Sequence, residues 1–143
     1  MQPLVSVVIT TKNEAHNIER CLQSIALQTY ANKEIIVVDN FSTDDTVAIA
    51  ARYTNIVKQK GPERSAQRNY GMKELAGGKY VMYVDADMIL SPTLLAHAVA
   101  AMEQGVVALH LRELVLGRKF FSRVRRFERC FYDGTAIDGA RFF

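Results

Sequence analysis

The sequence predicts an α/β fold, a three-layer α/β/α arrangement around a mostly parallel sheet. Three observations carry this expectation. Short β-branched apolar runs alternate with segments of helical periodicity over the first 111 residues. The runs are nearly continuous in Val and Ile, as strands buried on both faces require. Polar clusters follow the first, second and fourth runs, where open parallel sheets bind ligands.

Each element has its own signal. Leu4 to Thr10 is β-branched and apolar, a first strand. Glu14 to Gln28 places Ile18, Leu22 and Ile25 at helical spacing. Glu34 to Asp39 is a second buried strand. Ser42 reads as a helix cap, with Asp45 at the capping-box offset, and that helix should run to about Tyr53. Asn55 to Gln59 is a short third strand, and Gly61-Pro62 a turn. Glu63 to Ala76 is helical, with Gly77-Gly78 as its stop. Tyr80 to Val84 is a fourth strand. Ser91-Pro92 opens a further helix, proline standing at its first position, with Leu94, Leu95, Ala98, Val99 and Met102 on its apolar face. Val106 to Leu111 is a fifth strand. Right-handed crossovers in this order gather most loops that follow strands along one edge.

The 143 residues suit a single domain, with 1–111 as its core and 112–143 as a second portion. At 49% hydrophobic and 23% charged the composition is that of a soluble globular protein. A net charge of +3 gives no argument for nucleic acid. Cys21 and Cys130 have no ligand-type spacing, and reduced thiols in a cytoplasmic protein are expected. No basic leader precedes an apolar segment, and no apolar run approaches the ~20 residues that cross a bilayer. His16, His97 and His110 lack metal-ligand spacing.

The most informative pair is Asp85 and Asp87, where the fourth strand runs into Asp85-Ala86-Asp87. Two carboxylates so close repel, and one should have its pKa raised. A hard divalent cation removes the conflict, and such a cation usually also holds substrate phosphates. Alone, the pair can equally be a solvated acidic turn. Thr10-Thr11-Lys12-Asn13-Glu14 and Asp39-Asn40 end two other strands, so the three clusters converge on one edge. No Gly-x-Gly-x-x-Gly follows the first strand and no Gly-Lys-Ser/Thr loop is present, which argues against a dinucleotide-binding Rossmann domain and a P-loop NTPase. An aspartate-based phosphatase would carry its acidic pair after the first strand, which here ends in threonines.

Val5-Ser6-Val7-Val8-Ile9-Thr10-Thr11-Lys12-Asn13-Glu14 resembles the opening strand and loop of family 2 glycosyltransferases, which have the GT-A fold. Glu34-Ile35-Ile36-Val37-Val38-Asp39-Asn40-Phe41-Ser42-Thr43-Asp44-Asp45-Thr46 resembles that family's second strand and loop. Arg68-Asn69-Tyr70-Gly71 is similar to its Arg-Asn-x-Gly helix, and Asp85-Ala86-Asp87 to its metal motif. Order and spacing agree from about Leu4 to Leu111.

The resemblance implies roles. Thr10, Thr11 and Glu14 would line the base and ribose pocket of a nucleoside-diphosphate sugar, with Asn13 and Ala86 in the same site. Asp39 would accept a hydrogen bond from the base, typically a uracil or thymine imide, which favours a UDP- or dTDP-linked donor. Arg68 would lie near the nucleotide or its phosphates. Asp85 would contact the ribose or the metal shell, and Asp87 would ligate Mn²⁺ or Mg²⁺. These roles suit the chemistry, carboxylates for N–H groups and hydroxyls, a guanidinium for phosphate. Other readings stay open. Glu14 could favour the positive end of its helix, and Arg68 could pair with Glu63 or Glu74. Asn69 and Gly71 read as packing residues.

The implied reaction is a metal-dependent, inverting sugar transfer to a glycan or lipid-linked acceptor hydroxyl, as in cell-envelope polysaccharide synthesis. A base deprotonates the acceptor, which attacks the anomeric carbon in line. Here the sequence departs from the family. The family's acidic Glu-Asp motif and the Gln-x-x-Arg-Trp segment often following it are not present, so no catalytic base is assigned. Thr135 to Phe143 resembles the strand before the acceptor half, and the chain reads as cut in mid-strand. Asp138 is the acidic residue of that strand. An open apolar edge ending in Phe142-Phe143 would invite homodimer pairing. The alternative is a non-catalytic nucleotide-sugar binding module, which a native gene ending at Phe143 would favour.

Arg118 to Tyr132 interleaves Arg118, Lys119, Arg123, Arg125, Arg126 and Arg129 with Phe120, Phe121, Val124, Phe127 and Phe131, an amphipathic helix by spacing. It reads first as a helix packed on the sheet with its arginines in solvent or on a diphosphate. The second reading is peripheral contact with an anionic membrane, at the inner face.

Overall fold

A computed structural model of the protein describes residues 2–111, 123, 124, 127 and 141–143. Its sheet is centred on β1 (Val5–Thr11), whose seven residues are all buried. β1 pairs in parallel with β2 (Lys33–Asp39) on one side and β4 (Tyr80–Asp85) on the other. β3 (Val57–Gln59) extends β2, so the order is β3-β2-β1-β4. The chain builds outward from β1 to β3, then returns to place β4 on the opposite side. The strand order therefore reverses between β1 and β4, the place where such sheets open a ligand crevice.

Alternation along the strands divides the core in two. Val5, Val7, Ile9, Met82 and Val84 face α1 (Ile18–Ala26), α2 (Thr46–Ala50) and α4 (Leu94–Glu103). Ile18, Leu22 and Ile25 of α1 are completely buried there, a gain of about 1.5–3 kcal/mol each. Val8, Ile36 and Val38 face the other layer, α3 (Arg64–Tyr70) and the π-helical turn Gly71–Leu75. This is the three-layer α/β/α arrangement that the sequence predicts.

Several boundaries differ from expectation. Ser42 does not cap α2. Its N–H and hydroxyl both turn back to the buried Asp39 carboxylate, at 2.8 and 2.5 Å. A buried carboxylate needs donors, and α2 instead starts at Thr46. The helix expected to run unbroken to Ala76 changes to a π turn at Gly71, where Ala76 N–H donates to the Gly71 carbonyl. Gly71 packs directly on the sheet, since a Cβ there would overlap Val8 Cγ1. Gly78 is not a left-handed cap. It sits on the β1 backbone, and a Cβ would lie 2.8 Å from the Leu4 carbonyl oxygen. The last helix takes Thr93 at its cap position rather than Ser91.

The fifth strand is reduced to a bridge. Val106 and Val107 are exposed, and Leu109 pairs with Phe142, which also pairs antiparallel with Met82. Phe142 is fully buried between them, so 141–143 covers the edge of β4, while Phe143 beside it is 41% exposed. Of the basic segment, Arg123, Val124 and Phe127 are described, helical and exposed. Its remaining residues, Cys130 and Asp138 lie outside the described residues, as does most of the 112–143 portion.

Candidate functional site

The carboxyl ends of β1, β2 and β4 bring the predicted residues together in two groups. The first joins the loops after β1 and β2. Asn13 adopts a left-handed backbone, φ 52°. Its Oδ1 accepts the Thr43 N–H at 2.8 Å, and its own N–H donates to Ser42 Oγ at 2.7 Å. Glu14 N–H donates to Thr46 Oγ1 and Ala15 N–H to Asp44 Oδ2. Thr46 Oγ1 in turn donates to Asp44, the largest of the influences that hold the Asp44 carboxyl below its usual range. Glu14 behaves as a helix-start residue. Its carbonyl accepts from Asn17 and Ile18, and its carboxylate accepts from the Asn17 amide.

Asp39 and Thr11 are paired across β1 and β2 and share one face of the sheet. Asp39 is fully buried against Ser42. Thr11 Oγ1 is buried with no hydrogen-bond partner among the described residues. Phe41 follows with φ 50° and is 60% exposed. Beneath these loops Gln67, which sequence reasoning passed over, donates from one buried amide to both the Val38 and Thr11 carbonyls, at 2.7 and 3.1 Å. It ties the ends of β1 and β2 to α3.

The second group surrounds Asp85 at the point of strand reversal. Thr10 is its register partner on β1 and donates from Oγ1 at 3.5 Å. Arg68 donates to Oδ1 at 2.9 Å, Arg141 approaches Oδ2 at 3.5 Å, and Arg64 reaches Oδ1 at 4.0 Å. Burial pushes the Asp85 carboxyl up, but the Arg68 hydrogen bond and the charges of Arg68, Arg141 and Arg64 hold it below the usual carboxylate range. The conflict expected between Asp85 and Asp87 is therefore answered at Asp85 by guanidinium groups. Arg68 pairs with neither Glu63 nor Glu74. Ala86 is buried and Asp87 exposed. Cys21 lies behind this turn, Sγ 3.8 Å from the Asp85 carbonyl oxygen. Burial, then the charges of Asp87 and Asp85, push its thiol up to about 12.

Arg64 could have been found from sequence, since it stands four residues before Arg68 on the same helix face. Arg141 had no such signal, because 56 residues separate it from Asp85.

The Glycosyl transferase family 2 profile matches residues 6–139. The chain belongs to this family. It is 36% identical over 96 residues to the uncharacterized glycosyltransferase YibD of Escherichia coli K12, covering 63% of this chain and 28% of that protein. It is 37% identical over 97 residues to the cholesterol galactosyltransferase of Borreliella burgdorferi, covering 64% and 27%. The chain thus spans under a third of these relatives. Among solved structures, S. aureus TarS with UDP-GlcNAc superposes with a TM-score of 0.64 at 27% identity, over 80% of this chain and 38% of that one. The mannosyltransferase PcManGT of Pyrobaculum calidifontis, in complex with GDP-Man and Mn²⁺, gives 0.60 at 30% identity, over 69% and 32%. The fold is the GT-A fold of these glycosyltransferases.

In this family 2 chain no three His, Cys, Asp or Glu side chains form a metal cage among the described residues. The donor set nonetheless fits a hard cation that takes one protein carboxylate and completes its shell with phosphate oxygens and water. Asp87 is exposed and could supply that carboxylate, whereas Asp85 is turned to the arginines. No described helix is long and apolar enough to cross a membrane.

Proposed function

We propose that this chain is the donor-binding part of a metal-dependent, inverting glycosyltransferase that uses a nucleoside-diphosphate sugar. The observation that carries the reading is Asp85 at the strand reversal, hydrogen-bonded to Arg68, with Arg141 and Arg64 close by. A cation-rich mouth at the switch point of a parallel sheet suits a diphosphate.

In this reading the nucleoside lies along the loops after β1 and β2. The unpartnered Thr11 hydroxyl and the Asp39 carboxylate offer polar atoms there, and Asp39 accepting an imide N–H favours uracil or thymine. Ser42 holds Asp39 in a single orientation, and Asn13 and Glu14 shape the wall. Arg68 and its neighbours orient the diphosphate and stabilise charge on the departing nucleoside diphosphate. Asp87 would hold Mn²⁺ or Mg²⁺, which supplies further charge stabilisation at the leaving group. The acceptor is a hydroxyl of a glycan or lipid-linked glycan.

Calorimetric titration with UDP, dTDP and GDP, each with and without Mn²⁺, tests the reading, with Asp87→Ala as control. Metal-dependent binding of one nucleotide, weakened at least tenfold in the variant, is expected, since a tenfold change is ~1.4 kcal/mol. Binding that ignores both metal and Asp87 would contradict the metal assignment.

A further inference from the structure

We propose that Phe41 is the platform on which the nucleobase of the donor stacks. The inference rests on the donor reading above and adds a base-binding residue to it. The backbone at Phe41 is left-handed, φ 50°, a conformation that suits glycine and strains a bulky aromatic residue. The loop holds that conformation from both sides. Before it, Asn40 N–H donates to the Thr11 carbonyl at 2.9 Å, and the Asn40 side-chain amide donates to the Pro62 carbonyl at 2.7 Å. After it, Ser42 is tied to Asp39 through both its N–H and its hydroxyl.

This tethering fixes the ring without burying it. One edge of the ring lies against Gly61, where a Cβ would overlap Asn40 Oδ1 and meet Phe41 Cε2 at 3.4 Å. The residue nevertheless remains exposed. A strained backbone that holds a phenyl ring out in solvent gives the fold little return, and such strain collects where ligands bind. The polar atoms that a flat ligand needs stand on the same loops. Asp39, two residues before Phe41, is a buried carboxylate. Its register partner Thr11 has a buried hydroxyl without a partner among the described residues. An aromatic face, a carboxylate and a hydroxyl together suit a nucleobase: the ring takes the π face and the carboxylate an imide N–H. Stacking is tolerant of base identity. Phe41 therefore supplies affinity for the base, and Asp39 the choice among bases.

The test compares wild type with Phe41→Gly, Phe41→Leu and Phe41→Trp in this chain, with Mg²⁺ present. UDP, GDP and pyrophosphate are titrated by calorimetry, and uridine and guanosine by ligand-observed NMR. Phe41→Gly is expected to weaken the preferred nucleoside diphosphate and its nucleoside about tenfold each and to leave pyrophosphate within twofold. Glycine fits the left-handed backbone, and thermal melting checks that the variant folds. If it does not, Phe41→Leu, which keeps apolar bulk without the π face, should still lose several-fold on the nucleoside and nothing on pyrophosphate. Phe41→Trp introduces a single tryptophan into a chain that has none. Its fluorescence should respond to the nucleoside and the nucleoside diphosphate, and not to pyrophosphate. Unchanged nucleoside affinity in the glycine and leucine variants, or a fluorescence response to pyrophosphate as large as that to the nucleoside, would overturn the proposal while leaving the donor reading standing. Wild type that binds neither UDP nor GDP would bring down both.

Discussion

The two halves of the site are built in opposite ways. The loops after β1 and β2 are held by hydrogen bonds: Asn13 to Thr43 and Glu14 to Thr46 zip one loop to the other, and Ser42 closes the second loop onto the Asp39 carboxylate. The end of β4 is held by charge, with Arg64 and Arg68 from α3 and Arg141 from the last residues described. A hydrogen-bonded frame fixes shape and is insensitive to salt. Guanidinium groups gathered at one carboxylate respond to salt and suit an anionic ligand. The contrast matches a ligand that is neutral and flat at one end and doubly phosphorylated at the other.

The comparison can be broken most severely at the support under the first half. Replacing Gln67 by Leu removes the buried amide that serves the Val38 and Thr11 carbonyls. A loss of about 1–3 kcal/mol is expected, read as a lower urea midpoint with unchanged slope. No change would mean that the strand ends do not depend on this clamp.

Asp85→Asn sharpens the second half. It leaves the arginines without their shared anion, and about 1–2 kcal/mol of stability should be lost near pH 7. The pH dependence has a definite sign. A carboxyl with a lowered folded-state pKa contributes stability above its unfolded value of about 3.9, and that contribution disappears as pH falls through the folded value. Stability of wild type should therefore fall more steeply below pH 4 than that of the variant. Parallel acid profiles would deny Asp85 this role.

The smallest effect is expected at Asn13. Asn13→Gly keeps the left-handed backbone and removes only the acceptor for Thr43, a loss of about 0.5–1 kcal/mol. A larger drop, measured by thermal melting, would mean that the loop zipper carries more of the fold than its exposure suggests.

Much of this was legible in sequence, for physical reasons that also explain the failures. The strands were visible because burial on both faces leaves continuous Val and Ile, as in Val5–Thr11 and Lys33–Asp39. The edge that carries the site followed from the alternation of strands and helices, and Thr10, Asp39 and Asp85 do stand at the ends of their strands. What failed were assignments decided by competition between nearby groups. Ser42 fits a helix cap by pattern, but the buried Asp39 carboxylate three residues earlier outbids the helix for its donors. Gly78 fits a helix stop, but the constraint is the Leu4 and Ser6 backbone pressed against it, which no local pattern encodes. The fifth strand failed because Val106–Leu111 competes with a segment more than 30 residues later for the edge of β4, and Phe142 takes that place. Arg141 was invisible for the same reason.

One end of the site is framed by hydrogen bonds and the other by ion pairs. The most direct measurement is the salt dependence of two affinities on the wild-type chain, for the preferred nucleoside diphosphate and for its nucleoside, at fixed Mn²⁺. Screening should weaken the diphosphate progressively from about 0.05 to 0.5 M salt while the nucleoside stays constant. Two parallel lines, whether both flat or both falling, would contradict the division of the site described here.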